Sequence, residues 1–300
     1  MTAVGVLGIG RMGGSMARTL AAAGFEVICW NRTADAADGL AAELGARAVG
    51  RPAEVAKAAD VCISMLADGD AVATVYGGPD GLLAGARPGN VLVDSSTVPP
   101  STIRGLEDDA RRTGAGILDA PVSGSVALAE SGSLTIMVGG EAADLEAARP
   151  VLDALAKTVF HMGSLGSGAA MKLAVNAVIF GLNQALAEGL VLAEAAGIDR
   201  VRAYDVLAAS AVGAPYVGYK RAAFLAPDRT PVAFALELAA KDLRLIEELA
   251  DETGVPVPQA RTNLRVIGDA SGGGNEGRDF SAVAEYLRGS GASSTQRRGR

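Results

Sequence analysis

Lys172 and Asn176 stand four residues apart. On a helix that spacing puts both on one face. Their neighbours Ala169, Ala170, Met171, Leu173, Ala174 and Val175 are apolar. An ammonium group in such surroundings loses hydration, which lowers its pKa towards neutrality and suits it to general acid/base work. A lysine near a helix start can instead lay its stem along the surface and keep its charge in water. Spacing alone leaves both roles open.

A second constellation lies near the N-terminus. Gly8-Ile9-Gly10-Arg11-Met12-Gly13 has the pattern G-x-G-x-x-G, follows an apolar run and opens a helical one. Gly8 permits a tight turn, Gly10 lets backbone N–H groups approach a pyrophosphate, and Gly13 lets helix and strand pack closely. The helix N-terminus adds partial positive charge. The next strand ends in Asn31-Arg32-Thr33. No carboxylate stands there to bind a ribose 2′-hydroxyl or to repel a 2′-phosphate, and the Arg32 guanidinium matches a phosphate. The expected cofactor is NADP(H) in preference to NAD(H); the alternative is that Arg32 only faces solvent.

Other chemistry is thin. The chain has one histidine, His161, and two cysteines, Cys29 and Cys62, both inside apolar runs that read as strands. No Cys–His ligand cluster exists, so no metal is expected, and the thiols read as buried and structural. Asp94 and Asp119 end strands and read as loop-shaping side chains, not an acid/base pair. His161 reads as structural or as packing beside the cofactor. Gly166-Ser167-Gly168 precedes the Lys172 helix; its N–H groups could attract a substrate carboxylate, or the glycines could form a hinge. Phe234 belongs to a pocket or to the core.

These residues need a frame. Strands are expected at 3–8, 26–30, 46–49, 60–66, 90–94, 116–119, 133–138 and 158–161, with helices such as 11–23, 34–44, 52–58 and 100–113 between them. Alternation of this kind implies βαβ units and a mainly parallel sheet. Beyond residue 163 the pattern is helical: 168–196, 199–209, 215–225, 231–253, 258–269 and 279–287, with a loop at 271–277. The expected architecture is α/β, with a Rossmann-type dinucleotide-binding domain over 1–162. A helical substrate and oligomerisation domain follows over 163–288, then a disordered tail over 289–300.

Composition narrows the class. Hydrophobic residues make up 49% and charged residues 20%, which excludes a disordered chain. A net charge of −7 argues against nucleic acid as a partner. No signal peptide pattern is visible, and the stretch near 168–196 carries Lys172, Asn176, Asn183, Gln184, Glu188 and Glu194, too polar for an ordinary membrane span. A cytoplasmic protein, free of membrane, is expected.

Five stretches in order carry a family resemblance: Gly8 to Ala17, Asp94-Ser-Ser-Thr97 with Pro99-Pro100, Asp119-Ala-Pro-Val-Ser-Gly124, Gly166 to Lys172 with Asn176, and Lys241-Asp242-Leu243. Over about residues 3–287 the sequence resembles the β-hydroxyacid dehydrogenases. The resemblance implies NAD(P)-dependent interconversion of a small hydroxy acid and its oxo acid or semialdehyde. It places Lys172 on the catalytic lysine and Asn176 on the asparagine that assists it. It places Ser123 and Gly124 on the loop holding the substrate carboxylate, with Ser125 where glycine is common. Leu66, Ala67, Thr97 and Lys241 fall on cofactor-contacting positions, and the family usually has proline where Ala67 stands. The resemblance also implies dimers or tetramers. Imine reductases share a similar two-domain plan but usually lack lysine at the position of Lys172. A non-catalytic dinucleotide-sensing protein is the rival from another class, and Lys172, Asn176, Ser123 and Thr97 together argue against it.

Overall fold

The structure is a computed structural model that describes residues 2–298, with side chains for residues 2–290. Nine strands form one sheet: β1 (Ala3–Leu7), β2 (Glu26–Trp30), β3 (Arg47–Ala48), β4 (Val61–Ser64), β5 (Val91–Asp94), β6 (Gly116–Asp119), β7 (Val122–Ser123), β8 (Leu134–Gly140) and β9 (Ala156–Gly163). Their order is β3-β2-β1-β4-β5-β6-β8-β7, with β9 also paired to β8. β1 to β6 run parallel, β8 is antiparallel to β6 and β7, and β9 is parallel to β8.

Alternation along the central strands explains the sheet. Val4 and Val6 of β1, Val61 and Ile63 of β4, and Val91 and Val93 of β5 pack on one face. Ala3 and Leu7, Cys62, and Leu92 pack on the other. Side chains of a strand point alternately to its two faces, and helices cover both, so these strands read as unbroken apolar runs. β7 has only two residues and follows Pro121, which accounts for its absence from the sequence expectation. The helix expected over 100–113 is two helices, Pro100–Arg104 and Glu107–Thr113, interrupted at Gly105 and Leu106.

The chain gathers into two compact units, one through Leu173 and one from Ala174 on. The division falls inside the long helix Ser167–Ala195, whereas the sequence pattern changes earlier, at 162/163. In the second unit, the rest of that helix is joined by Arg200–Ala209, Pro215–Leu225, Leu236–Thr253, Pro258–Ala270 and Val283–Arg298. The helical backbone of the last extends through Arg298 where a disordered tail was expected over 289–300; residues 299–300 lie outside the described residues.

The long helix also departs from expectation. By length and composition it is apolar enough to cross a membrane, with a mean hydropathy of 1.4 over its most apolar stretch. Several of its polar groups are hydrogen-bonded within the helical unit. Asn183 donates to the Phe280 carbonyl and accepts from the Tyr216 hydroxyl, and Gln184 donates to Glu188. Leu186, Ala187 and Leu190 of this helix are buried, while Val178 and Leu192 are exposed.

Candidate active site

The parallel strands β1, β2, β4 and β5 bring their C-terminal ends together, and β1 lies where the strand order reverses. In open α/β sheets a ligand crevice forms outside such a switch point. Gly8 follows β1 with a φ of +94°, and an added Cβ there would come within 2.3 Å of the Met65 carbonyl oxygen beyond β4. An added Cβ at Gly13 would lie 2.1 Å from the Gly8 carbonyl oxygen, so glycine lets the first helix start against the strand end. At Gly10 an added Cβ would meet nothing within 4 Å. Gly10 is therefore not demanded by the fold; it leaves the helix N-terminus open to close approach from outside. These features fit a dinucleotide pyrophosphate.

The loop after β2 supports this turn. Asn31 Oδ1 accepts the Ile9 N–H at 2.9 Å, and Asn31 Nδ2 donates to the Thr33 carbonyl at 3.0 Å. The Asn31 side chain thus braces the glycine loop. Arg32 and Thr33 are exposed, as are Gly10 and Arg11, while Met12 is half-buried.

The β4 and β5 ends are tied by a buried carboxylate. Asp94 Oδ1 accepts from Ser64 Oγ at 2.6 Å and Ser96 Oγ at 2.8 Å, and Ser96 Oγ accepts the Leu66 N–H at 2.9 Å. Burial pushes the Asp94 carboxyl up to about 6, against the pull of the serine hydrogen bonds. This network positions the backbone at Leu66, next to Ala67, and leads into Thr97. Sequence reasoning noted Asp94 but not the serines that relay it.

The third cluster sits beyond β6. Asp119 is 1% exposed, and its carboxylate accepts the Gly166 N–H at 2.7 Å and the Ala169 N–H at 2.6 Å. One of the donors expected to meet a substrate carboxylate, the Gly166 N–H, is thus already taken by one of the protein's own. Close packing also calls for glycine here: an added Cβ at Gly168 would lie 2.3 Å from the Met137 carbonyl oxygen. Burial raises the Asp119 pKa, and the N–H donors oppose the shift.

Ser123, half-buried, closes β7, and Gly124 follows with a φ of +147°. Ser125 caps the helix Val126–Glu130, its Oγ accepting the Leu128 N–H at 3.4 Å. The side chain that stands where glycine is common is engaged as this cap. Lys172 is half-buried, one turn into the long helix.

In the helical unit Asn176 is buried and donates through Nδ2 to Asp242 Oδ2 at 2.8 Å. Lys241 is half-buried, and its Nζ lies 3.0 Å from Asp242 Oδ1. Asp242 therefore orients two expected site residues; its place beside Lys241 in the sequence was the available signal. Phe234 joins Phe180 and Phe280 in an aromatic cluster, with ring centroids 6.2 and 5.6 Å away. His161 hydrogen-bonds through Nε2 to the Gly140 carbonyl at 2.8 Å. Cys29 and Cys62 are buried free thiols, pushed by burial up to about 11 and about 12. Among the described residues no group of three or more His, Cys, Asp or Glu side chains could hold a metal ion.

A glycine-lined helix start at the switch point, in a sheet of order 3-2-1-4-5-6 at its parallel end, has the form of a dinucleotide-binding domain. Residues 3–163 match the NAD binding domain of 6-phosphogluconate dehydrogenase, and residues 166–287 match the family described as NAD-binding of NADP-dependent 3-hydroxyisobutyrate dehydrogenase. The chain is 36% identical over 285 residues to glyoxylate/succinic semialdehyde reductase 2 of Arabidopsis thaliana, covering 95% of this chain and 79% of that one. It is 34% identical over 294 residues to the NAD-dependent L-serine dehydrogenase of Pseudomonas aeruginosa, covering 96% and 98%. Among solved structures it resembles the 3-hydroxyisobutyrate dehydrogenase of Mycobacterium tuberculosis, with TM-score 0.83, 34% identity and coverage of 96% and 99%. The chain belongs to the β-hydroxyacid dehydrogenase family, and it is an NAD(P)-dependent dehydrogenase or reductase.

Proposed function

We propose that this enzyme interconverts a small hydroxy acid and its oxo acid or semialdehyde, with NADP(H) as the preferred cofactor. The observation that carries the chemistry is the half-buried Lys172, one turn into a helix whose start is pinned by a buried carboxylate. In the reducing direction Lys172 Nζ gives a proton to the carbonyl oxygen; in the oxidising direction it takes the proton from the hydroxyl. When bound, the nicotinamide supplies or accepts the hydride. Asn176, held by Asp242, assists the lysine. The Ser123 to Ser125 segment receives the substrate carboxylate, chiefly through Ser123 and the exposed backbone at Gly124. Gly8 to Gly13 hold the pyrophosphate, with Leu66, Ala67, Thr97 and Lys241 against the rest of the cofactor. The exposed Arg32, with no acidic residue beside it at the end of β2, supports NADP(H) over NAD(H).

Residues 1–162 form the dinucleotide-holding domain in this reading and 163–288 the helical one. Apolar side chains left exposed on the helical unit, such as Val178 and Leu192, each 72% exposed, support a dimer or tetramer. Two buried free thiols agree with a reducing cytoplasm. The relatives' substrates supply the test. NADPH consumption is measured with glyoxylate, succinic semialdehyde, tartronate semialdehyde, methylmalonate semialdehyde and a cyclic imine, and dinucleotide reduction with L-serine. Turnover of an acid with little on the imine is expected, and Lys172→Ala should lower kcat about 100-fold or more. Turnover confined to the imine, or undiminished in Lys172→Ala, overturns the reading.

A further inference from the structure

We propose that Asp119 is a positioning residue, whose carboxylate holds the Lys172 helix in fixed register with the Ser123 strand. The inference rests on the reading of Lys172 as the general acid/base and adds the group that places it.

The geometry is built around this one side chain. Asp119 ends β6, paired with Asp94 of β5 on one side and Gly139 of β8 on the other. Its carboxylate reaches across to the helix start and takes one N–H from Gly166 and one from Ala169. A carboxylate at a helix N-terminus is favoured by the aligned peptide dipoles. Two acceptor atoms meeting two donors fix both position and tilt, which one hydrogen bond does not. Lys172 follows Ala169 by three residues, a rise of ~4.5 Å along a rigid helix, so it moves with the anchored end. In the other chain direction Ala120 and Pro121 lead directly to β7 and Ser123. Ala120 N–H donates to the Asp94 carbonyl at 2.6 Å, and the Pro121 carbonyl accepts from Met137. The proposed proton donor and the proposed carboxylate-binding strand are thus both referred to Asp119.

Two glycines mark how tightly the fold closes on it. An added Cβ at Gly139 would lie 2.3 Å from Asp119 Oδ1, and one at Gly168 would lie 2.9 Å from Asp119 Oδ2. The tether therefore cannot lengthen without displacing backbone. A purely structural cap tolerates small shifts, whereas a proton donor misplaced by about 1 Å loses rate on the order of 100-fold.

The test uses Asp119→Asn, which keeps the shape but offers one acceptor in place of two, and Asp119→Glu, which keeps both acceptors on a longer arm. Each is made in the natural chain and in Lys172→Ala. Dinucleotide affinity is read by NADPH fluorescence, and exchange of the Gly166 and Ala169 amides by NMR on the protein without added cofactor. The expected results for Asp119→Asn are faster exchange of these amides, NADPH affinity within twofold of the natural chain, and a kcat at least tenfold lower. Asp119→Glu should also lower kcat at least tenfold, and Asp119→Ser, which is smaller and displaces no backbone, supplies the same test if neither of the larger variants folds. In the Lys172→Ala background neither change should lower the residual turnover further, because the group being placed is gone. The proposal is overturned if kcat stays within twofold of the natural chain, or if the fold loss is the same in both backgrounds. Undiminished turnover in Lys172→Ala alone removes the acid/base reading itself, and this role of Asp119 with it, before any Asp119 variant is considered.

Discussion

Asn176 Nδ2 lies 2.8 Å from Asp242 Oδ2, and both side chains are buried. A carboxylate only accepts hydrogen bonds, so this contact settles which end of the Asn176 amide faces it. Asp242→Leu removes the acceptor and leaves a buried amide donor unpaired. The expected destabilisation is about 1–3 kcal/mol, read from urea unfolding, together with a lower kcat as Asn176 loses its orientation. Unchanged kcat in a folded Asp242→Leu protein would show that Asn176 needs no such orientation.

How far the sequence reached is visible in the same residues. β2 and β6 were bounded correctly because each is an apolar run ended by a polar group, Trp30-Asn31 and Asp119. The glycine motif could be read because its spacing lies within one short turn, where Gly8 and Gly13 answer local steric demands. What could not be read were partnerships across the chain. Asn176 and Asp242 are 66 residues apart, and Asp119 and Gly166 are 47 apart. Periodicity reports the face a residue occupies, not its partner. The Gly166 N–H therefore looked available to a ligand when Asp119 already held it. The cap at Ser125 was not legible either, because the five-residue helix it starts gives too short a pattern to recognise.

Gly10 and Gly13 should respond differently to the same change. Gly13→Ala puts a methyl 2.1 Å from the Gly8 carbonyl oxygen, so the strand end and the helix must separate. Gly10→Ala meets nothing within 4 Å, and the Gly10 backbone, at φ −83° and ψ −167°, accepts alanine. Gly13→Ala is expected to lower Tm by several degrees. Gly10→Ala should leave Tm unchanged but weaken NADPH binding at least tenfold. Equal affinity in Gly10→Ala and the natural chain would place the pyrophosphate elsewhere.

Arg32 separates the two dinucleotides. A guanidinium on a 2′-phosphate makes charge-assisted hydrogen bonds worth about 1.5–3 kcal/mol, roughly tenfold to 100-fold in affinity. Arg32→Asp replaces that attraction by repulsion and supplies an acceptor for a ribose 2′-hydroxyl. The ratio of kcat/KM for NADPH to that for NADH should fall by at least 100-fold. A natural enzyme that already prefers NADH, or a ratio unmoved by the substitution, removes Arg32 from cofactor selection.

Asp94 gives the fold a pH signature of its own. Burial raises its carboxyl from 3.8 to about 6, while Ser64 and Ser96 pull the other way. A carboxyl with a raised folded pKa binds its proton more tightly when folded, so folding takes up a proton between the two values. On this account stability falls as pH rises from about 4 to about 6, and the burial penalty is fully present above that window. The shift corresponds to a contribution on the order of 3 kcal/mol. Asp94→Asn cannot titrate, so subtracting its unfolding free energy from that of the natural chain cancels every other carboxylate. The difference should decline between pH 4 and pH 6 and level off by pH 7. A difference constant over this range would mean that Asp94 binds its proton equally in both states, so that its burial leaves no mark on the pH dependence of folding.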